Sequence, residues 1–381
     1  MRVFFSTGEA SGDMLAAELA TAMRARVPDI TFAGIGNERM EAAGIELTQR
    51  TTRWASLGPI EALKRIPPLL AIALGHAFWL RRSPWDLIVL VDFGAFNLRL
   101  ARWLRTIGYR RPILYFVPPG AWFDKPGQAR AVAGAATALT PFAHQRAFYE
   151  SLGLPIVWFG HPLASLVAPR DPRPAAPHDG GTVALLPGSR AGELERHLPP
   201  LLEACKLVRA KRPRVRFVFA AADRETERTI ADALRHAFLP PFLGESRDGT
   251  SGTGVRIVAG ARAALDEADA AWVASGTAVL EATLREVPTV AIYIVLEAQV
   301  PIARRIWKRP YITLPNILLD REVVPELLQD DATPRRLADA MCALLDDPSQ
   351  QLAGMREVRA VLGAPDALER TADFALELAR S

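Results

Sequence analysis

At 381 residues the chain exceeds what one ordinary hydrophobic core needs, so two domains are expected. Half of its residues are hydrophobic and 23% are charged, which excludes a disordered chain; Cys205 and Cys342 sit in apolar helical contexts without ligand spacing, which argues against a disulfide scaffold or a zinc site. The formal charge is only +4, but the pI is near 9.3 and arginine dominates the basic residues, which suits a phosphate-rich partner or an anionic membrane face; no nucleic-acid partner is expected.

The start, Met1-Arg2-Val3-Phe4-Phe5-Ser6-Thr7-Gly8, is a strand entering a glycine turn rather than a signal peptide, and points to the cytoplasm. The strand over 2–5 is followed by the loop Gly8-Glu9-Ala10-Ser11-Gly12-Asp13 and a helix over 14–26. The pattern repeats with a strand over 31–36 and a helix around Met40. A buried strand over 86–92 ends at Asp92 and leads to a helix over 97–106. Strands over 113–117 and 138–140, a helix over 142–152 and a strand over 156–160 complete the first half. This alternation predicts an α/β fold, with a parallel sheet covered on both faces. Ligands of such sheets sit beyond the carboxyl ends of the strands, where Gly8, Asp92 and 118–122 fall.

The stretch 168–181, with four prolines and Gly180-Gly181, reads as a linker or surface loop. The alternation then restarts. A strand over 182–186 runs into the loop Pro187-Gly188-Ser189-Arg190 and a helix over 193–211. Strands over 215–220, 255–258 and 287–295 and helices over 224–237 and 261–268 follow, with a polar, glycine-rich loop over 244–254. Two doubly wound, Rossmann-like halves facing across a cleft are the expectation.

One strand-to-helix turn organises the rest. Asp269-Ala270-Ala271-Trp272-Val273 reads as a buried strand, Ala274-Ser275-Gly276-Thr277 as a turn, and 278–285 as a helix. The first N–H groups of that helix lack intrahelical partners and carry partial positive charge. The turn therefore suits a diphosphate: Gly276 allows close approach, and Ser275 and Thr277 donate hydroxyls. Glu281 falls one helical turn beyond Thr277, where a carboxylate can accept both hydroxyls of a ribose. Taken alone, the same residues also describe an N-capped helix with a solvated glutamate.

Read with the other loops, the pattern becomes specific. Gly8 to Asp13, Leu185-Leu186-Pro187-Gly188-Ser189-Arg190, and Ala274 to Thr277 with Glu281 come in one order with Leu314-Pro315-Asn316-Ile317-Leu318 and Arg321-Glu322-Val323-Val324-Pro325-Glu326. Phe96-Asn97-Leu98-Arg99-Leu100, Pro141-Phe142 and Phe159-Gly160-His161-Pro162-Leu163 belong to the same set. From about Arg2 to the end, the chain resembles the lipid-A-disaccharide synthases, inverting glycosyltransferases of the GT-B type.

The resemblance implies transfer of an acylated glucosamine from UDP-2,3-diacylglucosamine to the 6-hydroxyl of lipid X, an acylated glucosamine 1-phosphate. A β-1,6 disaccharide forms and UDP is released. It implies no metal and no cofactor, and no Asp-x-Asp signature occurs. Arg190, with Gly188 and Ser189, would lie over the diphosphate and take up the charge of departing UDP. Asn316, Arg321 and Glu322 would stand beside the donor, although a polar helix start explains them equally. Gly8, Glu9 and Ser11 belong to the acceptor side. There the family normally carries a second aspartate just before Phe-Asn, where this chain has Ala95. The Trp-Ala-Trp-Arg run expected after Tyr115 is also altered, to Pro118-Pro119-Gly120-Ala121-Trp122-Phe123-Asp124-Lys125. Alanine cannot take a proton. Asp92, Asp124 or Glu9 would then serve as the base, or the acceptor differs, or transfer is lost; Asp92 reads equally as a strand-end cap. Two rival functions follow: a related UDP-sugar transferase or epimerase with another acceptor, and a catalytically silent UDP-sugar-binding protein.

The segment 67–80 is apolar nearly all round, too short to span a bilayer, and flanked by Lys64-Arg65 and Arg81-Arg82, with Trp54 and Trp79 as interfacial rings. It reads as an interfacial helix on the anionic inner-membrane surface or as a buried packing helix, with His76 a packing residue. The expected domains are 1–163, completed by a C-terminal segment from about 351 to 381 packing back on it, and 164–350 for the UDP-sugar. Members of the family can exchange the last helix between subunits, which makes a second copy of the chain a candidate partner.

Overall fold

The computed structural model describes residues 1–51, 59–120, 125–171, 178–237, 254–307 and 309–381; over 59–70 and at 302, 303 and 306 it describes the backbone alone. Trp54, Asp124, the run 121–124, residues 172–177 of the expected linker, and 244–253 of the glycine-rich loop lie outside the described residues, as do the side chains of Lys64 and Arg65. The chain divides into two compact units, Met1–Leu166 with Leu362–Ser381, and Val167–Val361.

The first unit is built on seven strands: β1 (Arg2–Ser6), β2 (Thr31–Gly36), β3 (Glu46–Arg50), β4 (Leu87–Val91), β5 (Ile113–Phe116), β6 (Thr137–Thr140) and β7 (Val157–Trp158). All are parallel, in the order β3-β2-β1-β4-β5-β6-β7. Side chains alternate across the sheet because successive Cβ atoms point to opposite faces. Phe4, Ile88, Leu90 and Tyr115 pack on one side, with Leu80 and Leu100 from the helices Pro59–Arg82 and Gly94–Thr106. Val3, Phe5, Leu87, Val89 and Phe116 pack on the other, with Leu15 and Leu19 from the helix Ala10–Arg26.

That second face is completed from the far end of the chain. Leu368, Ala372, Ala375 and Leu376 form the apolar stripe of the helix Ala367–Arg380 and are buried against it. An ion pair joins Arg26 to Asp373, and the Leu368 N–H donates to Ser165 Oγ at 3.2 Å. The return begins at Leu362 rather than near residue 351. The preceding helix, Ser349–Val361, stays in the second unit because Gln351 is tied there: it accepts the Thr289 N–H at 2.6 Å and donates to the Thr289 and Val323 carbonyls.

The second unit carries β8 (Thr182–Leu186), β9 (Arg216–Ala221), β10 (Val255–Ala259), β11 (Ala270–Ala274), β12 (Thr289–Tyr293) and β13 (Glu326–Leu328), all parallel, in the order β10-β9-β8-β11-β12-β13. This is the strand order of a nucleotide-binding doubly wound sheet. Its core surrounds the fully buried Trp272, whose indole stacks on Phe217 and donates to the Leu337 carbonyl at 3.2 Å. Cys205 and Cys342 are buried free thiols of this core.

Candidate functional site

In both sheets the strand order reverses between the first and fourth strands, and the loops beyond those strands diverge to leave a crevice. In the first unit the reversal lies between β1 and β4 and is held by Asn97. Its Oδ1 accepts the Ser6 hydroxyl at 2.7 Å, and its Nδ2 donates to the carbonyls of Ser6, Val91 and Asp92 at 2.9–3.1 Å. Asp92 and Phe93 consequently adopt left-handed backbone, with φ of 48° and 49°. This turn pushes the Phe93 ring over Gly8, where a Cβ would stand 2.4 Å from it. The bare face of Gly8 therefore accommodates the Phe93 ring.

Asp92 is half-buried beyond the end of β4, and Glu9 caps the adjoining helix without spending its carboxylate on the cap. Burial, and then the nearby negative charge of Glu9, push the Asp92 carboxyl up to about 6. Two carboxylates of neighbouring loops thus share one crevice, and one holds a proton more readily. Ser11 is half-buried in the first turn of the helix Ala10–Arg26. Asp13 is fold-holding: it is buried and accepts the N–H groups of Asn37 and Arg39 at 2.6 and 3.0 Å. Ala95 is exposed in the first turn of Gly94–Thr106. Beside it, Gly94 lies under Pro119, and Gln145 holds the Pro118 carbonyl at 3.1 Å. His161 is buried, its pKa lowered to about 4 by burial, and its Nδ1 accepts the Leu163 N–H at 3.1 Å.

In the second unit the reversal lies between β8 and β11. These strands pair directly, Val273 opposite Leu186, so the loops that leave them start about 5 Å apart. From β11, Ser275 donates its N–H to the Ile292 carbonyl at 3.0 Å, and Gly276 turns with φ +155° and ψ −161° into the helix Thr277–Leu284. That backbone region is open to glycine alone. Nothing lies within 4 Å of where a Cβ of Gly276 would be, so a ligand can approach the helix start. Ser275, Thr277 and Glu281 are each half-buried along this turn and helix.

From β8, the loop Pro187–Arg190 is wrapped around Glu193. Its Oε2 accepts the N–H groups of Ser189 and Arg190 at 3.2 and 3.4 Å, and its Oε1 pairs with Arg190 Nη1 at 2.7 Å. Gly188, at φ +114°, leaves the room that Glu193 fills: a Cβ there would stand 2.5 Å from Oε2. Gly188 therefore lets the loop close on Glu193. Sequence reasoning missed Glu193, although a glutamate three residues into a helix after such a turn is the capping-box spacing.

One further expectation changes. Asn316 is fully buried with its amide saturated: Nδ2 donates to the Val324 carbonyl and Glu326, and Oδ1 accepts the Val323 and Val324 N–H groups, all at 2.7–2.8 Å. It has no hydrogen-bonding capacity left for a donor sugar or phosphate. Glu326 closes the same network, accepting the N–H groups of Ile312 and Thr313. Arg321 is exposed and pairs with Glu357 at 2.8 Å, and Glu322 is exposed beside it. Among the described residues no cluster of histidine, cysteine or carboxylate side chains suits a metal ion.

The helix Pro59–Arg82 is longer than the expected 67–80 and, over its described side chains, two-faced. Ala73, Ala77 and Leu80 are buried, while Leu74 and Phe78 are 41% and 47% exposed. Trp79 is 42% exposed, yet its ring also packs on Phe4 and Trp85 at 5.7 and 5.8 Å. His76 packs, with Nδ1 2.9 Å from the Ile72 carbonyl. No helix among the described residues is long and apolar enough to cross a membrane.

Two parallel doubly wound units in one chain, with their loops gathered at the strand-order reversals, are the architecture of the GT-B glycosyltransferases. Solved structures agree on the fold: the UDP-GlcNAc 2-epimerase from Neisseria meningitidis bound to UDP-GlcNAc superposes with a TM-score of 0.63 at 10% identity, over 99% of this chain and 100% of that one. The sequence profile of the lipid-A-disaccharide synthetases matches residues 3–372. The lipid-A-disaccharide synthase of Myxococcus xanthus (strain DK1622) is 36% identical, covering 99% of this chain and 97% of its own. That of Azotobacter vinelandii (strain DJ / ATCC BAA-1303) is 37% identical, covering 100% and 98%. The chain belongs to the lipid-A-disaccharide synthase family, and is a glycosyltransferase of lipid A biosynthesis.

Proposed function

We propose that this chain moves a diacylated glucosamine from UDP-2,3-diacylglucosamine to the 6-hydroxyl of lipid X, releasing UDP, with the donor held by the second unit and the acceptor by the first. The observation that carries the donor assignment is the open helix start at Gly276, beside the Arg190 loop. Its unpartnered N–H groups and the hydroxyls of Ser275 and Thr277 hold the diphosphate. Glu281 takes the ribose hydroxyls. Arg190, oriented by Glu193, balances the charge that develops on UDP as the anomeric bond breaks.

The attacking hydroxyl must lose its proton as the new bond forms. Asp92 is the base: burial first, and the charge of Glu9 second, bring its carboxyl near working pH. This assignment fills the role that the alanine at position 95 cannot. Full-length membership of the family favours the transferase over an epimerase or a silent binder.

Both substrates carry acyl chains. The exposed Leu74 and Phe78, with Arg81 and Arg82 a turn further on, suit an interfacial helix that lies on an anionic inner-membrane leaflet, placing the enzyme at the cytoplasmic surface. The test is UDP release from UDP-2,3-diacylglucosamine with and without lipid X. Release that depends on lipid X, with the disaccharide as product, is expected. Release indifferent to lipid X, or none with UDP still bound, overturns the transfer reaction.

A further inference from the structure

His197 is fully buried on the helix Ala191–Lys211 and takes no part in the steps above. Its ring is engaged at both nitrogens: Nδ1 lies 2.8 Å from the Pro187 carbonyl, and Nε2 lies 3.0 Å from the Ile294 N–H. A carbonyl only accepts and a backbone N–H only donates, so the ring is neutral, with its proton on Nδ1. Pro187 follows β8, and Ile294 follows β12. Those strands flank β11 on either side, about 10 Å apart. The imidazole and its two hydrogen bonds therefore bridge the end of β11, where the Ser275–Thr277 turn begins. On the β12 side the Ile292 carbonyl, two residues before Ile294, also holds the Ser275 N–H at 3.0 Å. Arg196 reinforces the far anchor by donating Nε to the Ile294 carbonyl at 2.8 Å.

We infer that His197 is a positioning residue for the diphosphate: it fixes the Pro187–Arg190 loop against the Ser275–Thr277 turn, so that guanidinium and helix start meet one ligand. The inference rests on the donor site proposed above. It does not require His197 to touch UDP, and its saturated ring has no capacity to do so. Burial, the dominant influence, lowers its pKa and keeps the ring in this neutral form.

Two measurements on the full chain test it. His197→Leu keeps the bulk but loses both bonds, and UDP affinity by calorimetry should fall about tenfold, the worth of one good hydrogen bond. His197→Gln carries a donor and an acceptor on one planar group, and should recover affinity to within about threefold of the unaltered protein. Linkage is reciprocal, so a brace that favours UDP is itself favoured by UDP. Saturating UDP should then slow hydrogen exchange of the Ile294 N–H about tenfold, a readout that needs no variant to fold. Full affinity in His197→Leu, or an Ile294 exchange rate indifferent to UDP, overturns the inference while the donor site stands. If the unaltered protein does not bind UDP, the donor site falls and the inference with it.

Discussion

Replacing Asp92 with asparagine should drive catalysis and stability in opposite directions. In the fold its carboxyl titrates at about 6 instead of 3.8, because of burial first and Glu9 second. The folded state therefore binds this proton more tightly than the unfolded chain does. The stabilisation is fully present below pH 3.8 and is lost as the pH rises through about 6. At pH 7 the ionised carboxylate costs the fold about 3 kcal/mol, and at pH 5 about 1.5 kcal/mol. Asparagine has no charge to desolvate and tolerates the left-handed backbone at this position. Asp92→Asn should then raise unfolding free energy by up to about 3 kcal/mol at pH 7, and by roughly half that at pH 5. Denaturant titrations at the two pH values read this directly. Transfer by the same variant should fall about 10²–10⁴-fold, with UDP binding intact. In the unaltered enzyme, transfer should drop about tenfold between pH 7 and pH 5 as the base is protonated. Full transfer by Asp92→Asn refutes the assignment of the base. A loss of stability at pH 7 refutes the burial argument behind it.

Glu9→Gln removes the like charge beside Asp92 and should move the acid limb of the transfer rate to lower pH; a limb that stays in place separates the two carboxylates. Arg190→Ala breaks a half-exposed ion pair, so stability should change by no more than about 1 kcal/mol, while UDP release slows about 100-fold or more. Asn316→Leu loses four buried hydrogen bonds and should cost roughly 3–5 kcal/mol in thermal unfolding. If it instead folds normally and fails to bind the donor, Asn316 is a ligand-contacting residue after all. The double change Leu74→Ser and Phe78→Ser alters exposed positions, so melting should shift by about 0.5 kcal/mol or less. Sedimentation with anionic vesicles should fall at least about tenfold, given about 1.5 kcal/mol or more for each apolar side chain buried; unchanged sedimentation removes this helix from the membrane contact.

The two sheets were legible in the sequence because strand alternation and turn chemistry are local. Buried runs such as Leu87–Val91 and Ala270–Ala274 announce themselves, and so do the glycine turns that follow. With the strands in place, Asp92 and Ser275–Thr277 had to fall at carboxyl ends. β3 escaped because it is a polar edge strand, Glu-Leu-Thr-Gln-Arg, with no buried face to give it a period. The work of individual polar side chains was decided elsewhere. Gly8 and Gly188 stand in turns read as substrate-binding, yet Phe93 and Glu193 occupy the space where each lacks a side chain. Asn316 looked like a ligand residue until folding brought the backbone of Val323–Val324 against it. His197 meets Ile294 across 97 residues of chain, a pairing that exists only once β8, β11 and β12 lie side by side. The family resemblance placed the last helix on the first unit, but periodicity alone leaves the destination of both C-terminal helices open. Ser349–Val361 and Ala367–Arg380 each carry an apolar stripe, and a stripe shows that a face is buried without showing against what. Only the assembled cores send the first to Thr289 and Val323 and the second to Leu15 and Leu19, because each face goes where its hydrogen-bonding and apolar partners already stand.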